Sequence, residues 1–250
     1  MTAIQVEAGR GWGWIVEGWR LFAQAPGVWI VLLLIYLAVS VAISLIPVVG
    51  LLAHALLNPV LIGGLFYGAA VQARGEPLEV AHLFRGFQDQ ERMGPLIVLG
   101  AISVAGYLLI GLLIVVLIGG GLAAWFVLDS SGMDASSQTL EILLIGAALL
   151  AGLIVLTIGA LIAMALFYGV PLVMLAGQNA WPAAQDSIAA CWINMLPLLV
   201  FGLVYLGLIM VAAIPLGFGF LILFPVTVCA AYASYQEVFA EVRSTVRLRK

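Results

Sequence analysis

Few residues in this sequence could do chemistry, and their placement decides what kind. His54 and Asn58 stand four apart, so on a helix they share one face. Such a pair could hold a lipid headgroup or a polar group of a partner. The same pair serves equally as an interhelical hydrogen bond. His82 sits in the charged stretch from Arg74 to Arg92, where a solvated imidazole is expected. Cys191 and Cys229 lie far apart in apolar or amphipathic stretches and show neither a disulfide framework nor metal-ligand spacing, so they read as buried thiols. The chain contains no H-E-x-x-H and no G-x-S-x-G, and no P-loop or G-x-G-x-x-G follows a strand pattern. Gly100, Ser103 and Gly106 do not match a nucleophile elbow, and no two carboxylates face each other in an apolar setting. The expectation is therefore no catalytic residue, no metal site and no cofactor.

The elements that position these residues follow from composition. Of 250 residues, 65% are hydrophobic and 8% charged, with nine basic and twelve acidic side chains. Soluble domains carry roughly 25% charged residues. So few charges cannot cover a chain of this size in water, and the mean hydropathy of +1.23 makes lipid the main solvent. This excludes a soluble globular domain, a disordered chain and a nucleic-acid binder, and makes membrane lipids the first expected partner.

A membrane helix needs about 20 apolar residues to cross a hydrocarbon core about 30 Å thick. The first 25 residues carry Glu7, Arg10, Glu17 and Arg20 without a leading basic cluster, so the apolar run from Val28 reads as an uncleaved membrane helix rather than a signal peptide. Passes are expected at about 28–46 and 51–73, ending and restarting around Pro47 and Gly50. One pass each is expected within 95–128 and 140–177, with breaks at the triple glycine 119–121 and at Gly169–Val170–Pro171 and with apolar helix to spare at 122–128 and 140–145. The last two passes are expected at 196–213 and 218–239, divided at Pro215–Gly217. Six passes place all nine basic residues (Arg10, Arg20, Arg74, Arg85, Arg92, Arg243, Arg247, Arg249 and Lys250) on one side, and leave Asp129, Asp134 and Glu141 for the other. By the positive-inside rule both termini are expected in the cytoplasm. Arg, Lys, Asp and Glu are absent from the apolar cores of the predicted spans, with Glu141 and Glu237 near span ends, which argues against proton relays, voltage sensing and ion carriage.

The passes group into three expected repeat units, about 12–75, 79–177 and 183–240, within one membrane domain. Trp19, Pro26, Tyr36, Pro47, Pro59-Val60 and Tyr67 recur as Trp192, Pro197, Tyr205, Pro215, Pro225-Val226 and Tyr232. The middle unit follows more loosely through Phe84, Phe87, Pro95, Tyr107, Tyr168 and Pro171. Each unit makes two passes, so the three enter the membrane in the same sense and form parallel helical hairpins. Pro59, Pro171 and Pro225 are expected to break the second helix of each hairpin. An amphipathic segment leads each unit: Trp12, Ile15, Val16, Trp19 and Phe22 in the first, Val80, Leu83, Phe84 and Phe87 in the second, Ile188, Cys191 and Trp192 in the third. These are expected to lie in the interface with those residues facing lipid. Gly64 and Gly68 form a small-xxx-small pair for close helix packing, within the chain or in a homo-oligomer.

The opening Gly11-Trp12-x-Trp14-Ile15-x-Glu17-Gly18-Trp19-x-Leu21-Phe22 with Pro26 and Trp29, and the run Arg74-Gly75-Glu76-Pro77-Leu78 leading to Leu83-Phe84-x-Gly86-Phe87, resemble a family of uncharacterised proteobacterial six-pass inner-membrane proteins. More distantly they look like the membrane-domain region of some glycerophosphodiester phosphodiesterases. The resemblance implies an all-α polytopic bundle in a bacterial inner membrane. It implies no catalytic residue, since the hydrolytic chemistry of those enzymes resides in a separate domain. The expected role is contact with proteins or lipids, as a scaffold, assembly factor or accessory subunit, possible membrane-protein partners or a homo-oligomer included. The alternative is a transporter or channel for an apolar or zwitterionic solute or a lipid.

Overall fold

The structure is a computed structural model that describes residues 3–47, 49–130 and 138–240. Arg243, Arg247, Arg249, Lys250 and Asp134, used above for orientation, lie outside the described residues. The described chain forms α1 (Arg10–Phe22), α2 (Pro26–Ser44), α3 (Val49–Ala73), a 3-10 turn (Val80–Phe84), α4 (Arg85–Gln88), α5 (Gln90–Ser130), α6 (Gln138–Ala176), α7 (Ala180–Ile193), α8 (Met195–Ala213) and α9 (Phe220–Val238), with no strand among the described residues. Six of these, α2, α3, α5, α6, α8 and α9, are long and apolar enough to cross a membrane. The protein is an all-α membrane helix bundle.

The helix ends follow local chemistry. Pro26 opens α2, where its missing N–H would have no intrahelical partner. Between α8 and α9 the chain turns through Leu216 at φ 53° and Gly217 at φ 85°, a left-handed reversal that stops α8. Two expectations are corrected. The glycines at 119–121 do not break α5, and Pro59, Pro171 and Pro225 do not end α3, α6 or α9, all of which run straight through them. In hydrocarbon an unmade backbone hydrogen bond has no water to replace it, so the helix persists across residues that would end it in water.

The chain divides into two units, residues 1–101 with 164–250, and Ile102–Ala163. The first holds its helices together by glycine. A Cβ on Gly11 would lie 2.2 Å from the Pro197 carbonyl oxygen, and one on Gly18 would lie 2.7 Å from that of Val226 and 2.6 Å from the Ala230 nitrogen. α1 therefore lies backbone-to-backbone on α8 and α9, with Trp14, Ile15 and Phe22 buried beside the glycines. Gly86 meets the Val60 carbonyl oxygen in the same way, at 2.8 Å, and Gly100 meets that of Leu56 at 2.5 Å. The core around them contains Trp29, Leu32, Leu61, Leu65, Leu83, Leu96, Leu99 and Tyr168.

The second unit has the opposite character. It consists of the outer stretch of α5 and the first stretch of α6, which touch where Gly106 faces Ile162. Gly111, Gly119, Gly120, Gly121, Gly146, Gly152 and Gly159 have open space where a Cβ would stand. Leu108, Leu112, Val115, Leu122 and Phe126 on α5 and Ile142, Leu149, Leu153 and Leu156 on α6 are exposed.

Candidate functional site

Asn58, from the pair singled out in the sequence, accepts a hydrogen bond from Tyr36 Oη at 2.8 Å, joining α2 to α3. His54 stands half-buried one turn away. Gly64 and Gly68 are both buried, and their stripe is occupied within the chain: a Cβ on Gly64 would lie 2.0 Å from the Leu83 carbonyl oxygen, and one on Gly68 would lie 2.9 Å from Leu78 Cδ1. The segment at 78–84 is thus seated on α3. At its start the Glu79 N–H donates to His82 Nδ1 at 3.1 Å, and His82 stands edge-on to Tyr67, over which Arg85 also lies. Partial burial lowers the His82 pKa, with Glu79 and Glu76 opposing and Arg85 and Arg74 reinforcing.

The densest polar cluster is one the sequence pattern did not single out. Arg10 Nε donates to both Glu237 oxygens at 2.7 and 2.9 Å, while Nη2 donates to Glu17 at 2.8 Å. Trp14 Nε1 donates to Glu237 Oε2 at 2.7 Å. The hydrogen bonds to Glu237 and then Glu17 raise the Arg10 pKa further above its ordinary value. Glu237 is the penultimate residue of α9, so this network clamps the start of α1 to the end of α9. The other end of α1 is clamped by buried Gln72, which accepts from Trp29 Nε1 at 2.8 Å and donates to the Leu21 carbonyl at 2.9 Å. Carboxylate, guanidinium and indole saturate one another in this arrangement, which suits holding a helix better than proton transfer.

A second built region surrounds Asn194 at the α7–α8 junction. The side chain is fully buried; Oδ1 accepts from the Val6 N–H at 2.9 Å, and Nδ2 donates to the Ile4 and Ala190 carbonyls, each at 3.0 Å. The Ile4 N–H donates to the Val238 carbonyl at 2.9 Å. The extended segment before α1 is thereby strapped across the ends of α8 and α9. A cleft of about 590 Å³ lies between this strap and the α7–α8 junction, lined by Gln5, Glu7, Trp192, Met195, Leu196 and Pro197 among others.

One further polar residue, Ser187 of α7, reaches the backbone of α6. The Tyr168 N–H donates to Ser187 Oγ at 3.0 Å, and Ser187 Oγ donates to the Met164 carbonyl. The α7 hydroxyl thus bridges two backbone groups of α6 one turn apart and ties α7 to α6. Cys191, one turn on, is buried, and that burial pushes its thiol up to about 12 despite the opposing Ser187 hydrogen bond. Among the described residues no three His, Cys, Asp or Glu side chains gather as a metal site.

On α1 and α7 the expected outward residues Trp12, Trp19 and Trp192 are exposed, but Ile15, Phe22 and Cys191, expected on the same faces, are buried. Gly11, Trp14, Ile15, Gly18 and Phe22 of α1 are buried, while Trp12 and Trp19 are more than half exposed. Ala180, Ala183, Ala184, Ser187, Ala190 and Cys191 of α7 are buried, while Trp181 and Trp192 are exposed. Beside a membrane the small residues turn to protein, where backbones approach closely, and the amphipathic tryptophans turn outward. The signal that could have found the clamp was Arg10–Trp14–Glu17, three polar-tipped residues at helical spacing on a helix otherwise rich in glycine.

Comparison with protein families, with curated proteins and with solved structures finds no match for this chain.

Proposed function

We propose that this membrane protein works by contact, as a scaffold, assembly factor or accessory subunit, and performs no catalysis. The observation that carries the reading is the length of α5 and α6. The spans of α2, α8 and α9 are 19 residues each, matched to a single crossing. Those of α5 and α6 run 34 and 32 residues, about 50 Å of apolar helix against a hydrocarbon core of about 30 Å. At an average tilt of about 20° some 15–20 Å remain beyond the hydrocarbon. Exposed Leu122 and Ile145 stand at the far ends of these two spans, and exposed Phe126, Val127 and Ile142 just past them, on helices whose Gly119, Gly120, Gly121 and Gly146 have open space around them. Apolar surface too long for lipid to cover, on helices prepared for close approach, is what a contact surface for another membrane protein or a second copy requires.

The polar network supports the same reading, since Arg10, Glu17, Trp14 and Glu237 are consumed in mutual contacts. A three-unit plan is part of the proposal. Gly18 on Val226 and Gly86 on Val60 repeat one contact at corresponding positions after Pro225 and Pro59, and Gln72 and Glu237, each accepting an indole N–H, follow Tyr67 and Tyr232 at the same offset. We place the protein in a bacterial inner membrane with both termini in the cytoplasm, on the distribution of its basic residues.

The test is co-purification at native expression in a mild detergent, comparing the protein with a Leu122→Glu/Phe126→Glu double variant. A discrete complex that the double variant loses while keeping its helicity is the expected result. A monomer in both preparations overturns the reading.

A further inference from the structure

We propose that the cleft between the N-terminal strap and the α7–α8 junction binds the headgroup of an ethanolamine phospholipid, with one acyl chain lying along α8. This goes beyond the contact reading and stands on a different part of the molecule. The strap forms one wall of the cleft through Gln5 and Glu7, and Trp192, Met195, Leu196 and Pro197 form the other. Met195 begins the α8 span, so the cleft opens where the membrane begins. Its polar wall is held in place by backbone hydrogen bonds of Ile4 and Val6 to buried Asn194 and Val238, none of which uses the side chain of Gln5 or Glu7. Those two side chains are thereby presented on a fixed backbone.

The charge of the cleft selects the headgroup. Glu7 is the charged member of the lining, and no basic residue lines it among the described residues. Arg10, one turn from Glu7, has its guanidinium committed to Glu237 and Glu17. A carboxylate facing the interface repels phosphatidylglycerol and attracts a cationic headgroup. An ammonium with three N–H donors can hydrogen-bond that carboxylate, whereas a quaternary choline cannot. The Gln5 amide offers donors for the phosphate. Below the cleft, Leu196, Leu199, Leu203, Leu206 and Met210 are exposed along one stripe of α8. The stripe is about 20 Å long, enough to lie against most of one leaflet's acyl chain.

The experiment is native mass spectrometry of the full-length protein with an equimolar mixture of phosphatidylethanolamine, phosphatidylcholine and phosphatidylglycerol of identical chains, for wild type, Glu7→Gln and Glu7→Lys. Wild type is expected to retain phosphatidylethanolamine over phosphatidylcholine by about fivefold, the size of an exposed charge-assisted contact. Glu7→Gln is expected to lose that preference, and Glu7→Lys to favour phosphatidylglycerol, with the thermal midpoint unchanged because the strap bonds remain. Excess soluble glycerophosphoethanolamine should not displace the lipid, since it lacks the chain that follows α8. Equal retention of the three lipids by wild type, an unchanged preference in Glu7→Gln, or displacement by the soluble headgroup each overturns the proposal.

Discussion

Replacing Gly18 by alanine tests the packing at the centre of the fold. An added Cβ at this position would lie 2.6 Å from the Ala230 nitrogen, 2.7 Å from its Cβ and 2.7 Å from the Val226 carbonyl oxygen. Two of these are backbone atoms of α9, so no side-chain rotation relieves the clash, and α1 must move away. Overpacking of this kind costs about 1–3 kcal/mol, against which alanine returns up to about 1 kcal/mol of helix propensity. With that gain returned in full, the net destabilisation is up to about 2 kcal/mol, or up to about 8 °C for a chain of this size; against a control that gains the same propensity, the whole of about 1–3 kcal/mol separates the two variants. Gly202→Ala is the matched control: it adds the same methyl within α8, where nothing stands within 4 Å. That variant is expected to be neutral or up to about 1 kcal/mol more stable. The assay is thermal unfolding of the purified protein in one detergent, followed by tryptophan fluorescence. Gly18→Ala and Gly202→Ala shifting alike would refute the reasoning.

Glu237→Leu leaves Arg10 without its main acceptor and the Trp14 N–H unpaired; with the Arg10 and Glu237 side chains 38% and 28% exposed, water softens the loss to about 1–3 kcal/mol, read as a lower thermal midpoint, and Glu237→Gln should recover part of it. His82 has a lowered pKa, chiefly through burial, and its Nδ1 accepts the Glu79 N–H, so the folded state binds the proton less well than the unfolded chain. Stability should therefore fall as pH drops below about 6.5, and His82→Gln should flatten that fall in thermal midpoints taken from pH 7.5 to 5. Cys191 runs the other way: its thiol, raised by burial from 9.0 to about 12, keeps its proton when folded, so its contribution is complete below about pH 9 and is lost as pH rises toward 12. At pH 8 in intact membranes Cys191 should resist iodoacetamide and react on denaturation, and rapid labelling of the native protein would contradict its burial.

How much was legible in the sequence depended on what the hydrophobic pattern could encode. The six long apolar helices follow from run length, and the start of α2 and the α8–α9 turn follow from Pro26 and from Pro215–Gly217. Helix continuity through Gly119–Gly121 and through Pro59, Pro171 and Pro225 was misjudged, because rules for glycine and proline learned in water weigh against a backbone that hydrocarbon forces to stay bonded. On α1 and α7 the outward tryptophans Trp12, Trp19 and Trp192 follow the expectation, while Ile15, Phe22 and Cys191, expected beside them, turn inward for a related reason. Apolar periodicity separates water from everything else, but it does not separate lipid from protein. Trp12, Trp19, Trp181 and Trp192 marked the outward faces, and Gly11, Gly18 and Ala183 marked the packed ones. The spacing of Arg10, Trp14 and Glu17 marks the α1 half of the clamp, but its partner Glu237 comes from the opposite end of the chain, a pairing that local spacing does not reveal.

The contact reading is tested most directly by photo-crosslinking in native membranes, with a photoreactive amino acid in place of Phe126 and, separately, of Leu112. Both positions are exposed on α5, Phe126 near its far end and Leu112 within the apolar span. The expected result is a discrete protein adduct from Phe126, absent or much weaker from Leu112. Lipid adducts alone at both positions would contradict the account.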